Sequence, residues 1–278
     1  MSAQISNLLL KAAFYACSSG PKIAAPHRFS LHGDYELCVL TSFSSIKAID
    51  RLLYRLELFL RGEVALGDIG LGFAMSEAIS HCLRDLGAKL NIEIALSIPL
   101  ATTMIWLRTS ARRSLSEAVN VIIKALQLSQ SVEGIQLVSI LRNLGAELAL
   151  YLEEANLSER RIKMEGLSVY DVLIALSRVS RGRFSFIENL GSVVALVSSA
   201  LRGIEDGVGI NEVLTRVFID VAHTHGYVSK IDVPKTMSVQ DIVRLLKLDN
   251  EFRKRGVYLA HLLPYVLLVA TELAIQGF

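Results

Sequence analysis

Residues 90–107 read LNIEIALSIPLATTMIWL, and residues 257–278 read VYLAHLLPYVLLVATELAIQGF. Both stretches have the length of a helix that crosses a bilayer, which needs about 20 apolar residues. However, the first contains Glu93, and the second contains His261 and Glu272. An ionised group at the middle of a membrane costs at least about 2.5 kcal/mol, so these residues disfavour a membrane-spanning role. We therefore expect each stretch to form a helix buried in a protein core.

The sequence around these two stretches has the spacing of amphipathic helices. From residue 34 to residue 62, apolar side chains recur every three or four positions, which predicts one long helix with Asp34 as its N-cap and Gly62 at its left-handed end. A similar run covers residues 132–155. Three capping boxes predict the start of further helices: Ser114 with Glu117, Ser168 with Asp171, and Ser238 with Asp241.

These patterns predict an all-α fold. We expect a single domain over residues 1–278, built as a bundle of about ten helices with one or two fully buried central helices. Residues 227–233 alternate weakly in the manner of a β-strand, but no hairpin signal accompanies them. The loops are short and polar, and the sequence contains neither a domain linker nor a repeat of fixed period.

The composition narrows the classes of function. Of the 278 residues, 52% are hydrophobic, and 29 Lys and Arg stand against 27 Asp and Glu. Such a balance excludes a dedicated nucleic-acid binder, because counterion release from phosphates requires a surplus of cations. Cys17, Cys38 and Cys82 are widely spaced and odd in number, which predicts neither a disulfide framework nor a zinc site. We expect a soluble cytoplasmic protein without a signal peptide.

One polar stretch separates the first two predicted helices. It covers residues 21–30 and reads PKIAAPHRFS. Lys22, His27 and Arg28 lie just ahead of a helix N-terminus, where cations and free backbone amides together can bind an anion. A solvated connection is the alternative interpretation. The GDIGLG sequence at residues 67–72 is interpreted as the start of a helix, because no strand precedes it.

Three parts of the chain carry motifs of a known family. Residues 21–28 (PKIAAPHR) are similar to a P-K-P-G-x-V-H-R segment, and residues 87–101 (GAKLNIEIALSIPLA) are similar to a G-G-N-T-N-L-G motif followed by P-L-A. Residues 252–256 (FRKRG) are similar to the start of an R-x-R-G-x-N-P-G motif, and residues 200–218 show a weaker similarity. In these motifs and in their order, the chain resembles the triphosphoribosyl-dephospho-CoA synthase family.

The resemblance implies an all-helical transferase whose substrates are ATP and dephospho-CoA. In that reaction a ribose hydroxyl of dephospho-CoA displaces adenine from C1′ of ATP, so the enzyme has to hold the triphosphate with cations and Mg²⁺. The residues that match the motifs imply a candidate site with three roles: Lys22, His27, Arg28 and Asn91 bind phosphate, Glu93 binds the metal, and Glu205 and Asp206 are catalytic.

The sequence also departs from the family's motifs. Ile23 and Ala24 replace P-G after the lysine, Glu93 is an added carboxylate, and residues 257–263 replace small and polar residues by bulkier apolar ones. Two hypotheses therefore stay open. The protein is an active triphosphoribosyl transferase, or it is an inactive divergent relative that binds a nucleotide or another protein, including a second copy of itself in a homodimer.

Overall fold

All regular secondary structure in the computed structural model is helical over the residues that it describes, 2–180 and 182–278. The predicted all-α class is confirmed. Three short 3₁₀ turns accompany the α-helices. The α-helices are α1 (Ser2–Ser18), α2 (Asp34–Ile46), α3 (Ile49–Leu60), α4 (Leu71–Leu86), α5 (Ile92–Thr109), α6 (Leu115–Gln127), α7 (Ser131–Arg142), α8 (Ala146–Glu154), α9 (Glu159–Glu165), α10 (Val169–Val179), α11 (Val193–Glu205), α12 (Ile210–Thr224), α13 (Val239–Lys254) and α14 (Leu263–Ile275).

Helices α5 and α14 form the centre of the bundle. Every residue of α5 from 92 to 107 is buried, as is every residue of α14 from 263 to 274. The two helices pack against each other, α1 lies along α14, and α2 and α4 cover α5. The prediction of one or two fully buried central helices is therefore confirmed.

The buried charged side chains and the histidine of these two segments have partners inside the protein. Glu272 on α14 accepts hydrogen bonds from Arg108 on α5, at 2.6 Å from Nη2 and 2.9 Å from Nε. Glu93 pairs with Arg183, and His261 bonds to Tyr227. In the described part of the chain, no helix combines the length and the apolar character that a membrane span requires.

The helix boundaries agree with the sequence at most predicted caps. All three predicted capping boxes form, with the serine hydroxyl and the carboxylate each bonding to the other residue's backbone amide. Gly62 has a φ of +74° and ends α3 as predicted. Asp34 is not the N-cap of α2, because it is the first helical residue and Gly33, with a φ of +69°, takes the N-cap position.

There are more helices than the ten or so predicted, because two of the predicted long helices are broken. The stretch 34–62 divides into α2 and α3 at Lys47, just after Ser45, whose hydroxyl bonds to the carbonyl four residues back and weakens the helix there. The stretch 132–155 divides into α7 and α8 at Gly145, whose φ of +138° interrupts a helix. The short helix α9 lies in a region predicted to be a loop.

The structure contains a disulfide bond between Cys17 and Cys38, which corrects the prediction from cysteine spacing. The two residues lie on α1 and α2, which pack together and bring their Cα atoms to 5.8 Å. Cys82 remains a free, buried thiol. The pairing depends on how two helices pack, which the spacing along the chain does not reveal. Since disulfides are rare in a reducing cytoplasm, the cysteines no longer support a cytoplasmic location.

Candidate functional site

The connector between α1 and α2, residues 19–33, is largely folded into the protein. Its residues from 19 to 27 are all buried. The Nζ atom of Lys22 donates hydrogen bonds to the backbone carbonyl of Ser19 and, at 3.0 Å, to that of Pro26. Burial lowers the pKa of Lys22 well below its ordinary value. The amine therefore closes the connector on itself, a position that does not fit the predicted role in binding phosphate.

Two charged side chains of α13 bind the connector. Asp249 Oδ1 accepts hydrogen bonds from the backbone amide of Ala24 at 2.6 Å and from Arg253 Nε at 2.8 Å. Arg253 Nη2 donates to the carbonyl of Ala25 at 2.9 Å and to Asp34 Oδ2 at 2.7 Å. Each buried charge has a partner of opposite sign, as a buried charge requires. This network fixes α13 to the connector.

His27 belongs to the same network, whereas Arg28 does not. His27 is fully buried, and its Nδ1 accepts a hydrogen bond from the backbone amide of Phe29 at 3.2 Å, so the neutral ring carries its proton on Nε2. Nε2 lies 3.5 Å from Asp249 Oδ2. Burial lowers the pKa of His27, and Asp249 opposes this shift. Arg28 is exposed, with its guanidinium 4.9 Å from the ring centroid of Phe29.

A cavity of about 460 Å³ opens beside the start of α5, and we call it the central cavity. Its walls come from α5, α8, the segments that follow α10 and α12, and the stretch that leads into α14. The residues that line it are Glu93, Glu147, Tyr151, Ser180, Arg183, Tyr227, Gly256, Val257, Tyr258, Leu259 and His261.

An ion-pair cluster forms one wall of the central cavity. Arg183 Nε donates to Glu93 Oε1 at 2.7 Å, and Arg183 Nη1 donates to Glu147 Oε2 at 3.3 Å. The side chain of Glu93 is 4% exposed, whereas that of Glu147 is 66% exposed. The negative charge of Glu93 raises the pKa of Arg183. With two carboxylates and one guanidinium, this wall carries a net negative charge.

The central cavity is also lined by an imidazole and by phenol hydroxyls. His261 Nε2 lies 3.0 Å from the hydroxyl of Tyr227, and the two rings meet edge to face. Burial lowers the pKa of His261 to about 4, so its ring is neutral near pH 7. Burial also raises the pKa of Tyr227 and that of Tyr258. The side chains of His261, Tyr227 and Tyr258 are therefore uncharged near pH 7 and can form hydrogen bonds.

Ser180 adds a hydroxyl that has no protein partner. Ser180 is 4% exposed and lines the central cavity. Within residues 2–180 and 182–278, its Oγ forms no hydrogen bond. A buried hydroxyl that lacks a partner costs about 1–3 kcal/mol, a cost that a polar partner at this edge of the cavity would remove.

A second cavity of about 450 Å³ adjoins the first, and we call it the outer cavity. The two cavities share Gly256, Val257 and Tyr258. The outer cavity is also lined by Arg253 and by Lys254, and Lys254 is exposed without an ion pair among the described residues. The outer cavity is therefore the more cationic of two adjoining cavities, and we call the pair the cleft.

The structure places the other predicted site residues away from this cleft. Asn91 is the N-cap of α5, where its Oδ1 accepts the amide of Ile94 at 3.0 Å and its own amide donates to Thr41. Glu205 and Asp206 are exposed at the end of α11 and line neither cavity. Of the predicted site residues, all of which are described, Glu93 alone lines the central cavity.

The residues around Glu93 do not fit a resident Mg²⁺ ion. The guanidinium of Arg183 already neutralises this carboxylate, in the place where the predicted metal would lie. Across the described ranges, no three or more His, Cys, Asp or Glu side chains gather in a group that could hold a metal ion.

The sequence analysis missed most residues of the cleft. Arg183 lay in a segment without a motif, and its partner Glu93 is 90 positions away along the chain. The sequence indicates bulkier apolar residues at 257–263, yet Tyr258 and His261 of this stretch line the central cavity. When compared with known proteins, the chain matches no family model, no curated protein and no solved structure.

Proposed function

We propose that this protein binds a nucleotide along the cleft, with the ribose in the central cavity and the phosphates in the outer cavity. The two cavities adjoin at residues 256–258, and the proposed ligand would cross this segment from one cavity to the other. Volumes of about 460 and 450 Å³ are typical of cavities that bind small molecules, which measure about 300–1,000 Å³.

The distribution of charge supports this orientation. Glu93 and Glu147 outnumber Arg183 in the central cavity, so a phosphate group would be repelled there. Carboxylates, phenols and a neutral imidazole are instead suitable partners for the hydroxyl groups of a ribose. Lys254 in the outer cavity provides an unpaired positive charge for the phosphates.

The observation that carries the proposal is the buried, unpartnered hydroxyl of Ser180. The other buried polar side chains of the central cavity, such as Glu93 and His261, already bond to protein groups. An oxygen of a bound ribose would supply the missing partner of Ser180 and remove the cost of leaving it unpaired. This gives the central cavity a specific reason to bind a polyhydroxylated ligand.

The acidic wall favours a second, narrower function, the transfer of the triphosphoribosyl group of ATP to dephospho-CoA. In this transfer the acceptor oxygen forms a bond to C1′ while the bond from C1′ to adenine breaks, and adenine takes up a proton as the acceptor hydroxyl loses one. Positive charge develops on the ribose. The carboxylates of Glu93 and Glu147 would stabilise that charge.

Thermal unfolding with AMP, ADP, ATP and adenosine tests nucleotide binding. A ligand at about 100 times its dissociation constant adds roughly 2.7 kcal/mol of stability, which corresponds to a rise in Tm of about 5–10 °C. We expect Ser180→Ala to weaken the binding of all four ligands, because each contains the ribose. Lys254→Gln should weaken ATP and ADP but leave adenosine unchanged.

The matched controls are Ser116→Ala and Lys163→Gln, which alter exposed residues outside the cleft. They should bind every ligand as the unaltered protein does. The proposal is wrong if no nucleotide raises the Tm, or if the cleft variants behave like the controls.

Mass spectrometry of ATP and dephospho-CoA incubated with the protein tests the transfer. The reaction would produce free adenine and the triphosphoribosyl adduct of dephospho-CoA in equal amounts. Binding without either product supports the inactive relative.

A further inference from the structure

A third cavity, of about 680 Å³, lies between α13 and the segment that follows α12. We call it the apolar chamber. Tyr227 lines both this chamber and the central cavity, so the two are neighbours. Seven of its twelve lining residues are apolar: Ile23, Val228, Ile231, Val239, Val243, Leu248 and Phe252. The nucleotide proposed above does not use this chamber.

The chamber exposes apolar surface on α13. Val239 is 76% exposed and Val243 is 43% exposed, and they lie four residues apart on the helix. At 100° per residue, Asp249 and Arg253 lie roughly 80° around the axis of α13 from these two valines, and there they bind the connector. Asp249 and Arg253 therefore hold the helix against the connector, and Val239 and Val243 are left exposed at the chamber.

Two cations lie on the chamber wall. Arg244 and Lys247 are exposed, and neither forms an ion pair within the described ranges of the chain. Asp241, three positions before Arg244 on α13, accepts hydrogen bonds from Ser238 in the capping box. An apolar space with two unpaired positive charges on its wall is complementary to a molecule that has an apolar chain and a negative head group.

We propose that the apolar chamber binds a single amphiphile, with its apolar chain against Val239, Val243 and Phe252 and its carboxylate or phosphate head group beside Arg244 and Lys247. The chamber volume of about 680 Å³ falls within the range of about 300–1,000 Å³ that is typical of small-molecule sites. The ligand is a monomeric molecule that enters the chamber, and not the surface of a bilayer.

Displacement of a fluorescent polyene fatty acid from the full chain tests this proposal. Straight-chain carboxylates and alkyl phosphates, all below their micelle concentrations, serve as competitors, and the two series distinguish the head groups. We expect affinity to rise about fourfold for each added methylene until the chamber is full, which corresponds to about 0.8 kcal/mol per methylene. Alcohols of the same length should bind up to about fivefold more weakly than either series.

Variants locate the binding site. Val239→Asp places a carboxylate in the chamber at the first residue of α13, where the helix dipole tolerates it, and should weaken binding at least tenfold. Its control is Val132→Asp, at the second residue of α7 and also exposed. Arg244→Gln with Lys247→Gln should remove the advantage of the charged head groups over alcohols, whereas Lys163→Gln should retain it.

The outcomes separate the alternatives. Binding that grows with chain length, is lost in Val239→Asp and is retained in Val132→Asp supports the chamber. Absence of displacement by any chain overturns the proposal, and so does displacement that both aspartate variants weaken equally. Sedimentation with anionic vesicles provides a further test. If the protein binds vesicles but not monomeric chains, the surface of α13 is a membrane contact and the proposed site is wrong.

Discussion

Replacing Arg183 by Met is expected to destabilise the protein because it leaves a buried carboxylate without its cation. Arg183 Nε is the ion-pair partner of Glu93, whose side chain is only 4% exposed. The same guanidinium bonds to Glu147, but that carboxylate is 66% exposed and is well hydrated without a partner. The two carboxylates therefore provide a matched pair that differs in burial.

The magnitude follows from that difference. Removal of one partner from a fully buried ion pair costs about 3–5 kcal/mol. Since the side chain of Arg183 is 28% exposed, water can reach part of the site, and we expect a loss of about 2–4 kcal/mol in the free energy of unfolding. Glu147→Gln removes an exposed partner and should cost about 0–1 kcal/mol. Adding Glu93→Gln to Arg183→Met should recover at least about half of the loss, since the remaining amide carries no charge.

Urea unfolding followed by far-UV circular dichroism measures these differences, provided that the slope of free energy against urea is the same in all variants. The double variant guards against a general packing defect, because it contains the same Met as the single variant. Equal losses in Arg183→Met and Glu147→Gln would refute the argument. So would a double variant that is less stable than Arg183→Met alone.

Three further predictions test other parts of the structure. His261 has a pKa of about 4 in the folded protein and about 6.5 in the unfolded protein, so the unfolded state binds more protons between these pH values. The free energy of unfolding should therefore fall by up to roughly 3 kcal/mol as the pH decreases from about 6.5 to 4. Urea titrations at each pH should show a smaller fall for His261→Asn. Unfolding in denaturant without a reductant should expose one thiol per chain to alkylation, at Cys82, and mass spectrometry should find three modified cysteines after reduction. Gly72→Ala should lower stability by about 1–3 kcal/mol, because the new Cβ would lie 2.4 Å from a methyl carbon of Val169. The Cβ of the control Gly191→Ala would meet nothing within 4 Å, so this variant should change stability by less than about 0.5 kcal/mol. Similar melting temperatures for both variants would contradict the close packing at Gly72.

The parts of the fold that depend on local interactions were predictable from the sequence. A serine and an acidic residue three positions apart form a capping box whatever the rest of the protein does, and Ser114, Ser168 and Ser238 all form one. The two most apolar stretches became the two buried helices for a similar reason, because their composition determines burial. The breaks at Lys47 and Gly145 were missed since apolar spacing continues across them.

The candidate site was less predictable because its contacts join distant parts of the chain. Arg183 bonds to a glutamate 90 residues earlier, and Asp249 bonds to the amide of Ala24 across 225 residues. A lysine between two prolines has the same sequence signature whether it binds a phosphate or, like Lys22, closes its own loop. Burial decided between these outcomes, and burial of a loop depends on the helices that pack over it.

The packing of α1 along α14 affects how the protein can be made. During synthesis, α1 leaves the ribosome long before α14 exists, so the parts of α1 and α5 that pack on α14 stay uncovered until about residue 275 has been added. The nascent chain therefore exposes apolar surface for most of its translation. We expect its folding yield to depend on a chaperone that shields the early helices, and to fall sharply when translation stops before α14.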